Sequence, residues 1–204
     1  MNYIAFINYV AVMSITPGPN NLLLATAGVN FGFNRALPMS FGVSVGNSLQ
    51  CFFALSTFHL LFQWLEELRF PMAVIGCTYL LWLSWKIYSS TSIDKSTRLD
   101  QPMGFWQMFF FQAINPKAWL SVVNVAVLFG STQAHWSHHL WLALVNGLVV
   151  LPCVFIWAGM GARLKQWLQK PVRLQRFNLC MAVLMSLTAF WLLYDEAVLF
   201  MGYA

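Results

Sequence analysis

Apolar residues run along the chain in six stretches, Tyr3 to Ala27, Leu37 to Leu61, Pro71 to Tyr88, Trp106 to Phe129, Leu140 to Met160 and Asn178 to Tyr194, with short polar segments between them. A helix needs about 20 mostly apolar residues to cross the roughly 30 Å of hydrocarbon in a bilayer. No alternation of apolar and polar positions suggests membrane-barrel strands. The pattern predicts an all-α integral membrane protein with six transmembrane helices, and little chain is left outside them for a soluble domain. The whole of 1–204 is expected to be one transmembrane domain.

Two of the six stretches carry their own interruption. In the first, Thr16-Pro17-Gly18-Pro19-Asn20-Asn21 places two prolines, a glycine and two amides where an unbroken helix would be expected. A proline lacks the amide hydrogen, clashes with the carbonyl four residues back and pushes its predecessor out of helical geometry. The helix should stop and restart, with Pro19 at the favoured first position of a second half-helix. Unpaired backbone groups cost several kcal/mol each in hydrocarbon, so a break survives only where protein or a water-filled cavity satisfies them. A plain kink packed against neighbours is the alternative, and the density of polar and breaking residues favours a cavity near the midplane.

The same device recurs in the fourth stretch, where Asn115 is suited to be an N-cap, Pro116 the first helical residue, and Lys117 the residue after it. Three spans separate Pro17 from Pro116, so the two halves would run in opposite directions through the bilayer. Interrupted helices at corresponding places in inverted halves point to the substrate site of a secondary transporter. Residues 1–90 are expected to form the first three-helix repeat, 105–204 the second, and 91–104 a cytoplasmic linker.

Composition agrees with a membrane setting: 59% of residues are hydrophobic and 8% charged, against about 25% charged in soluble domains. The mean hydropathy is +0.65. Ala25-Thr26-Ala27 imitates a signal-peptidase site, but no Lys or Arg precedes Arg35 and the prolines interrupt the apolar run, so the first span is expected to stay in the mature protein.

Charge sets the orientation, because cytoplasmic loops collect Lys and Arg. Of the 11 such residues, Arg35, Lys86, Lys95, Arg98, Arg163, Lys165, Lys170, Arg173 and Arg176 lie in or beside the loops after spans one, three and five. Only Arg69 lies on the other side, which predicts both termini in the periplasm. The net charge of +5 is thus a topology signal, and no nucleic-acid partner is expected. Contact with anionic membrane lipid around Arg163 to Arg176 is compatible with the same residues.

Cys51, Cys77, Cys153 and Cys180 fall in separate spans without a C-x-x-C pair and read as small packing residues. His135, His138 and His139 cluster near the start of the fifth span, with no Cys, Asp or Glu beside them to complete a metal site. No metal and no cofactor is expected.

Lys117 is an ionisable residue placed well inside the fourth span, where a charge at the bilayer centre costs about 2.5 to 3.5 kcal/mol. Its stem, roughly 6 Å, cannot bridge the half-thickness of about 15 Å to the interface. No Asp or Glu falls within a predicted span, so a substrate carboxylate is a natural counter-charge. A zwitterion could set its carboxylate against the two half-helix N-termini and Lys117, and its ammonium against unwound carbonyls near Met13 to Ile15 and against Asn side chains. A cationic side chain would find no acidic partner, which favours small neutral amino acids over lysine or arginine.

The Thr16 to Asn21 run, Gly32-Phe33-x-Arg35 leading to Gly42 and Gly46, Gly76-x-x-Tyr79-Leu80-x-Trp82-x-x-Trp85-Lys86, and Asn115-Pro116-Lys117 together resemble the LysE/RhtB family of amino-acid exporters over nearly the whole chain. The resemblance implies proton-driven efflux of amino acids or their derivatives across a bacterial inner membrane. Some members carry Gly-Asp where this chain has Gly46-Asn47, so a carboxylate that might carry protons is absent here. The paired asparagines and the missing acid are similar to the branch exporting cysteine and O-acetylserine. The expected substrate-binding residues are Thr16, Pro17, Gly18, Pro19, Asn20, Asn21, Asn47, Asn115, Pro116 and Lys117.

Gly42-x-x-x-Gly46 permits close helix packing, either inside the chain or between protomers of a homo-oligomer. A membrane-embedded enzyme would need a catalytic set, and no intramembrane Ser/His/Asp group or carboxylate pair is present. An assembly scaffold is the other alternative, although a scaffold has no use for two broken helices.

Overall fold

A computed structural model describes residues 2–89, 101–130, 135–167 and 170–203. Most of the expected linker 91–104, including Lys95 and Arg98, lies outside them, as does the loop 131–134. Eight helices follow one another: α1 Tyr3–Ile15, α2 Pro19–Phe31, α3 Phe33–Ser56, α4 Phe58–Ser89, α5 Phe105–Ile114, α6 Pro116–Phe129, α7 Trp136–Trp167 and α8 Pro171–Tyr203. The described residues contain no strand.

Both interruptions fall where the prolines require them. Helix α1 ends at Ile15, Thr16 turns to φ −64° and ψ 145°, Gly18 is fully extended, and Pro19 opens α2. The second break is a single residue: Asn115, at φ −86° and ψ 106°, ends α5 and precedes Pro116 at the start of α6. Each half-helix has 10 to 14 residues, about 15 to 21 Å at 1.5 Å per residue. None reaches across roughly 30 Å of hydrocarbon alone. Among the described residues two helices contain a stretch long and apolar enough to cross by itself, Trp136–Leu164 in α7 and Val172–Tyr194 in α8.

Several helix limits lie outside the apolar windows. Helix α3 begins at Phe33, and α4 runs through Pro71 without a break. Helices α7 and α8 each extend several residues past both ends of their windows. A hydropathy window registers only the lipid-compatible part of a helix, and the polar ends continue the same hydrogen-bond ladder.

Helix α2 is the centre of the bundle, with every residue from Asn21 to Val29 buried. A helix apolar on all faces belongs inside. It packs chiefly on α7, which also receives α1 and α3, while α3 packs in turn on α5 and α6, and α4 pairs with α8. Thus α7 lies along both halves of the first broken helix and α3 along both halves of the second.

Glycines set the closest approaches. A methyl at Gly28 would collide with the Ala158 carbonyl of α7, and one at Gly161 with the Ala25 carbonyl of α2. Gly42 meets the Phe105 carbonyl, and Gly46 lies against Phe109 and Gln112, so the small-residue pair of α3 serves a contact with α5 inside the chain. Gly76 of α4 likewise abuts the Ile114 carbonyl at the second break.

Large apolar side chains point outward, among them Ile4, Phe53, Ile75, Phe110, Leu148, Ile156 and Leu187. Such an exterior suits lipid rather than water. Lys86 sits 4.0 Å from the centre of the Trp82 ring, and the Arg173 guanidinium 4.9 Å from the Trp167 ring. Cations over tryptophan at helix ends are what the membrane interface favours.

Candidate functional site

Both breaks open on one cavity of about 50 Å³, room for roughly three or four waters. Its wall includes Gly18, Pro19, Asn20 and Asn21 from the first break, Asn115, Lys117 and Ala118 from the second, and Asn47 from α3. Seven of the ten residues expected to bind substrate line this space. Of the other three, Thr16 and Pro17 hold Lys117, and Pro116 is buried at the start of α6.

Lys117 is held by the broken backbone of the other half. Its Nζ donates to Thr16 O at 3.0 Å, Thr16 Oγ1 at 2.9 Å and Pro17 O at 2.8 Å. These three acceptors match the three hydrogens of an ammonium. They carry no formal charge, so the positive charge of Lys117 is solvated but not neutralised. Gly18 makes the arrangement possible: a Cβ there would stand 2.7 Å from Lys117 Cδ and 2.8 Å from its Nζ.

The carbonyls of residues 13 to 15 are occupied as well. Thr16 Oγ1 donates to Met13 O at 2.9 Å, Asn21 Nδ2 to Ser14 O at 2.7 Å, and Trp157 Nε1 from α7 to Ile15 O at 3.0 Å. Asn21 Nδ2 also reaches Thr16 O at 2.8 Å. The expected ammonium position near Met13 to Ile15 is therefore filled by the protein's own donors. Side chains satisfy the unwound segment, as the cost of bare backbone in hydrocarbon demands.

A second polar cluster ties the two breaks together. Asn20 Nδ2 donates to Gln112 Oε1 at 2.9 Å, and Asn20 Oδ1 accepts from Gln112 Nε2 at 3.2 Å and from Asn115 Nδ2 at 3.1 Å. Gln50 of α3 donates to Gln112 O at 2.6 Å. Asn115 occupies the N-cap position expected of it, but its side chain makes no cap bond and instead donates Nδ2 to Asn20 Oδ1. Its Oδ1 is buried without a partner. Neither α2 nor α6 has a side-chain cap, so both N-termini, the positive ends of their dipoles, are left to the cavity.

Asn47 accepts from Asn146 Nδ2 of α7 at 2.8 Å, with both side chains buried, and Ser44 donates to Gly147 O at 2.8 Å beside it. Gln50, Gln112, Asn146 and Trp157 are the participants that reading the sequence passes over. A glutamine in an apolar span was the available signal for the first two. The described residues bring no three His, Cys, Asp or Glu side chains together around a metal-sized space. His139 lies buried with Nδ1 3.5 Å from Ser56 Oγ, and none of the four cysteines is in a disulfide.

Two helices broken toward a shared polar cavity, inside a bundle with an apolar exterior, define a membrane transporter of small solutes. Unwound backbone at such depth has its use where a solute must be enclosed and released. Residues 11–196 match the family model described as LysE type translocator, and the chain belongs to that family. It is similar to the cysteine/O-acetylserine efflux protein of Salmonella typhimurium strain LT2, at 30% identity over 171 residues, 77% of this chain and 80% of the relative. The protein of the same description from Escherichia coli O157:H7 is 26% identical over 204 residues, covering 93% of this chain and 96% of the relative. No solved structure matches. The chain is thus a multi-pass inner-membrane translocator and not an enzyme.

Proposed function

We propose that the protein is a secondary active exporter of small neutral amino acids or their derivatives across the bacterial inner membrane, driven by the proton gradient. The observation that carries this reading is the convergence of two uncapped helix N-termini and Lys117 on one cavity with no acid among its lining residues. Such a space attracts a carboxylate and offers no partner for a cationic side chain. Its volume suits a short side chain. The names of the relatives agree with an amino acid of that size, cysteine and O-acetylserine being small and uncharged in the side chain.

Coupling to protons rests on the family, and residue 47 does not supply it, because the side-chain amide of Asn47 does not titrate. Counterflow in proteoliposomes tests the substrate class. Small neutral amino acids should exchange, whereas lysine, arginine and decarboxylated amines should not. Exchange of lysine at the same rate as of a small neutral amino acid would sink the reading.

The architecture proposed for this activity is six spans in two inverted repeats, 1–90 and 105–204, with α1–α2 and α5–α6 each crossing as one interrupted span. Reciprocal packing supports it: α7 lies along α1 and α2 as α3 lies along α5 and α6. Both termini then lie in the periplasm and 91–104 in the cytoplasm. Reporter fusions after Tyr88 and near Lys170 should read as cytoplasmic, and one after Gln133 as periplasmic. A periplasmic signal at Lys170 would reverse the orientation.

A further inference from the structure

Lys117 fills an ammonium site that its own residue type could share with the cargo. We propose that the Thr16 and Pro17 oxygens are the α-ammonium site of the transported amino acid and that Lys117 occupies it when no substrate is present. Loading then exchanges one ammonium for another, and Lys117 swings to the substrate carboxylate. This assignment rests on the amino-acid reading above and specifies how that site selects.

The geometry supports an exchangeable cation site. Three oxygens within 2.8 to 3.0 Å of one nitrogen act as acceptors, the Thr16 hydroxyl proton being committed to Met13 O, which suits a group with three N–H donors and no acceptor. The neighbouring carbonyls at 13 to 15 are each taken by a donor that is fixed in place: a threonine within its own turn, an asparagine in the buried helix α2 and a tryptophan of α7. Lys117, by contrast, is a flexible stem running past a glycine, and Gly18 has no side chain to block its swing. Gly18 and Lys117 both line the cavity, so the cradle that Lys117 fills adjoins it.

The exchange explains why both ends of the zwitterion are needed. At the cradle it replaces one ammonium by an equivalent one and gains little. The gain arises from Lys117, whose uncompensated charge acquires a carboxylate partner inside a poorly hydrated space. A decarboxylated amine would displace Lys117 and leave two cations side by side without a counter-charge. A simple carboxylate would leave the cradle filled by Lys117.

The test uses the purified full chain in detergent, with unfolding followed on heating. Methylammonium should not stabilise the wild type, while a small neutral amino acid should. In Lys117→Ala the cradle is vacant, and methylammonium should bind roughly tenfold to a hundredfold more tightly than to the wild type, the weight of charge-assisted hydrogen bonds. Acetate should show no such gain. Lys117→Gln, which retains a donor for one cradle oxygen, should show the same gain in milder form.

Folded variants that bind methylammonium no better than the wild type would overturn the exchange. So would two variants that fail to fold and are not restored by methylammonium, since a filled cradle should replace the missing lysine. A wild type that responds to no amino acid, beside variants that do gain methylammonium binding, would instead strike at the substrate reading and leave the ammonium site standing.

Discussion

Replacing Pro17 and Pro19 together by alanine should abolish transport in proteoliposomes while leaving a folded protein. Two alanines restore the missing amides and remove the ring clashes, each worth about 3 kcal/mol against a helix interior. Helix α1 can then run into α2, with residue 17 donating to Met13 O and residue 19 to Ile15 O, which now receive Thr16 Oγ1 and Trp157 Nε1. The site is lost from both sides. Thr16 O and the carbonyl of residue 17 are drawn into helical hydrogen bonds, so Lys117 loses its acceptors, and the uncapped N-terminus at Gly18 to Asn21 ceases to exist. The relief of proline strain offsets the stranding of Lys117, which is why the unfolding temperature should hold or rise. Normal counterflow in the double variant would mean that the break is a tolerated kink.

The largest loss of stability is expected from Asn20→Leu, a change that keeps the number and branching of the side-chain heavy atoms. It leaves Gln112 Oε1 and Asn115 Nδ2 buried without a partner, and Asn115 Oδ1 has none already. An unsatisfied buried polar group costs about 1 to 3 kcal/mol, so two cost roughly 2 to 6 kcal/mol. Gln112 Nε2 is spared because it also donates to Met108 O at 2.9 Å. Transport should fall with stability, since Asn20 joins α2 to the α5–α6 break. Adding Gln112→Leu removes one orphan, so the double variant should be less destabilised than the sum of the singles. Additive losses, or an Asn20→Leu protein that melts at the wild-type temperature, would show that the amides are neighbours rather than a tie.

The two breaks were legible because proline and glycine act locally: Pro17, Pro19 and Pro116 forbid specific backbone bonds whatever surrounds them. The all-helical membrane architecture was legible because a bilayer demands long apolar runs. The partners were not. Gln112 meets Asn20 across 92 positions, and Trp157 meets Ile15 across 142, pairings that only the packing of α2, α5 and α7 creates. Lys117 reads in the sequence as a charge in need of a partner, but the residues that advertise one are acids, and its acceptors in the fold are the oxygens of Thr16 and Pro17. Unwound carbonyls are acceptors in every residue, so no letter in the sequence marks them. Asn115 shows the same limit: its position at the head of α6 follows from Pro116, while the use of its side chain depends on Asn20.

Helix α2 touches α7 backbone to backbone at Gly28 and at Gly161, and this has a mechanical meaning. Helices separated by side chains can slide by letting those chains change rotamer, as in shear motions. Where carbonyls lie directly against Cα atoms there is no such compliant layer, and close-packed surfaces do not deform continuously. The pair therefore behaves as one lever. A rocking that showed the cavity to one side of the membrane and then the other would carry α2 and α7 together, with the three unwound residues between Ile15 and Pro19 as the joint in the chain that leads into this lever.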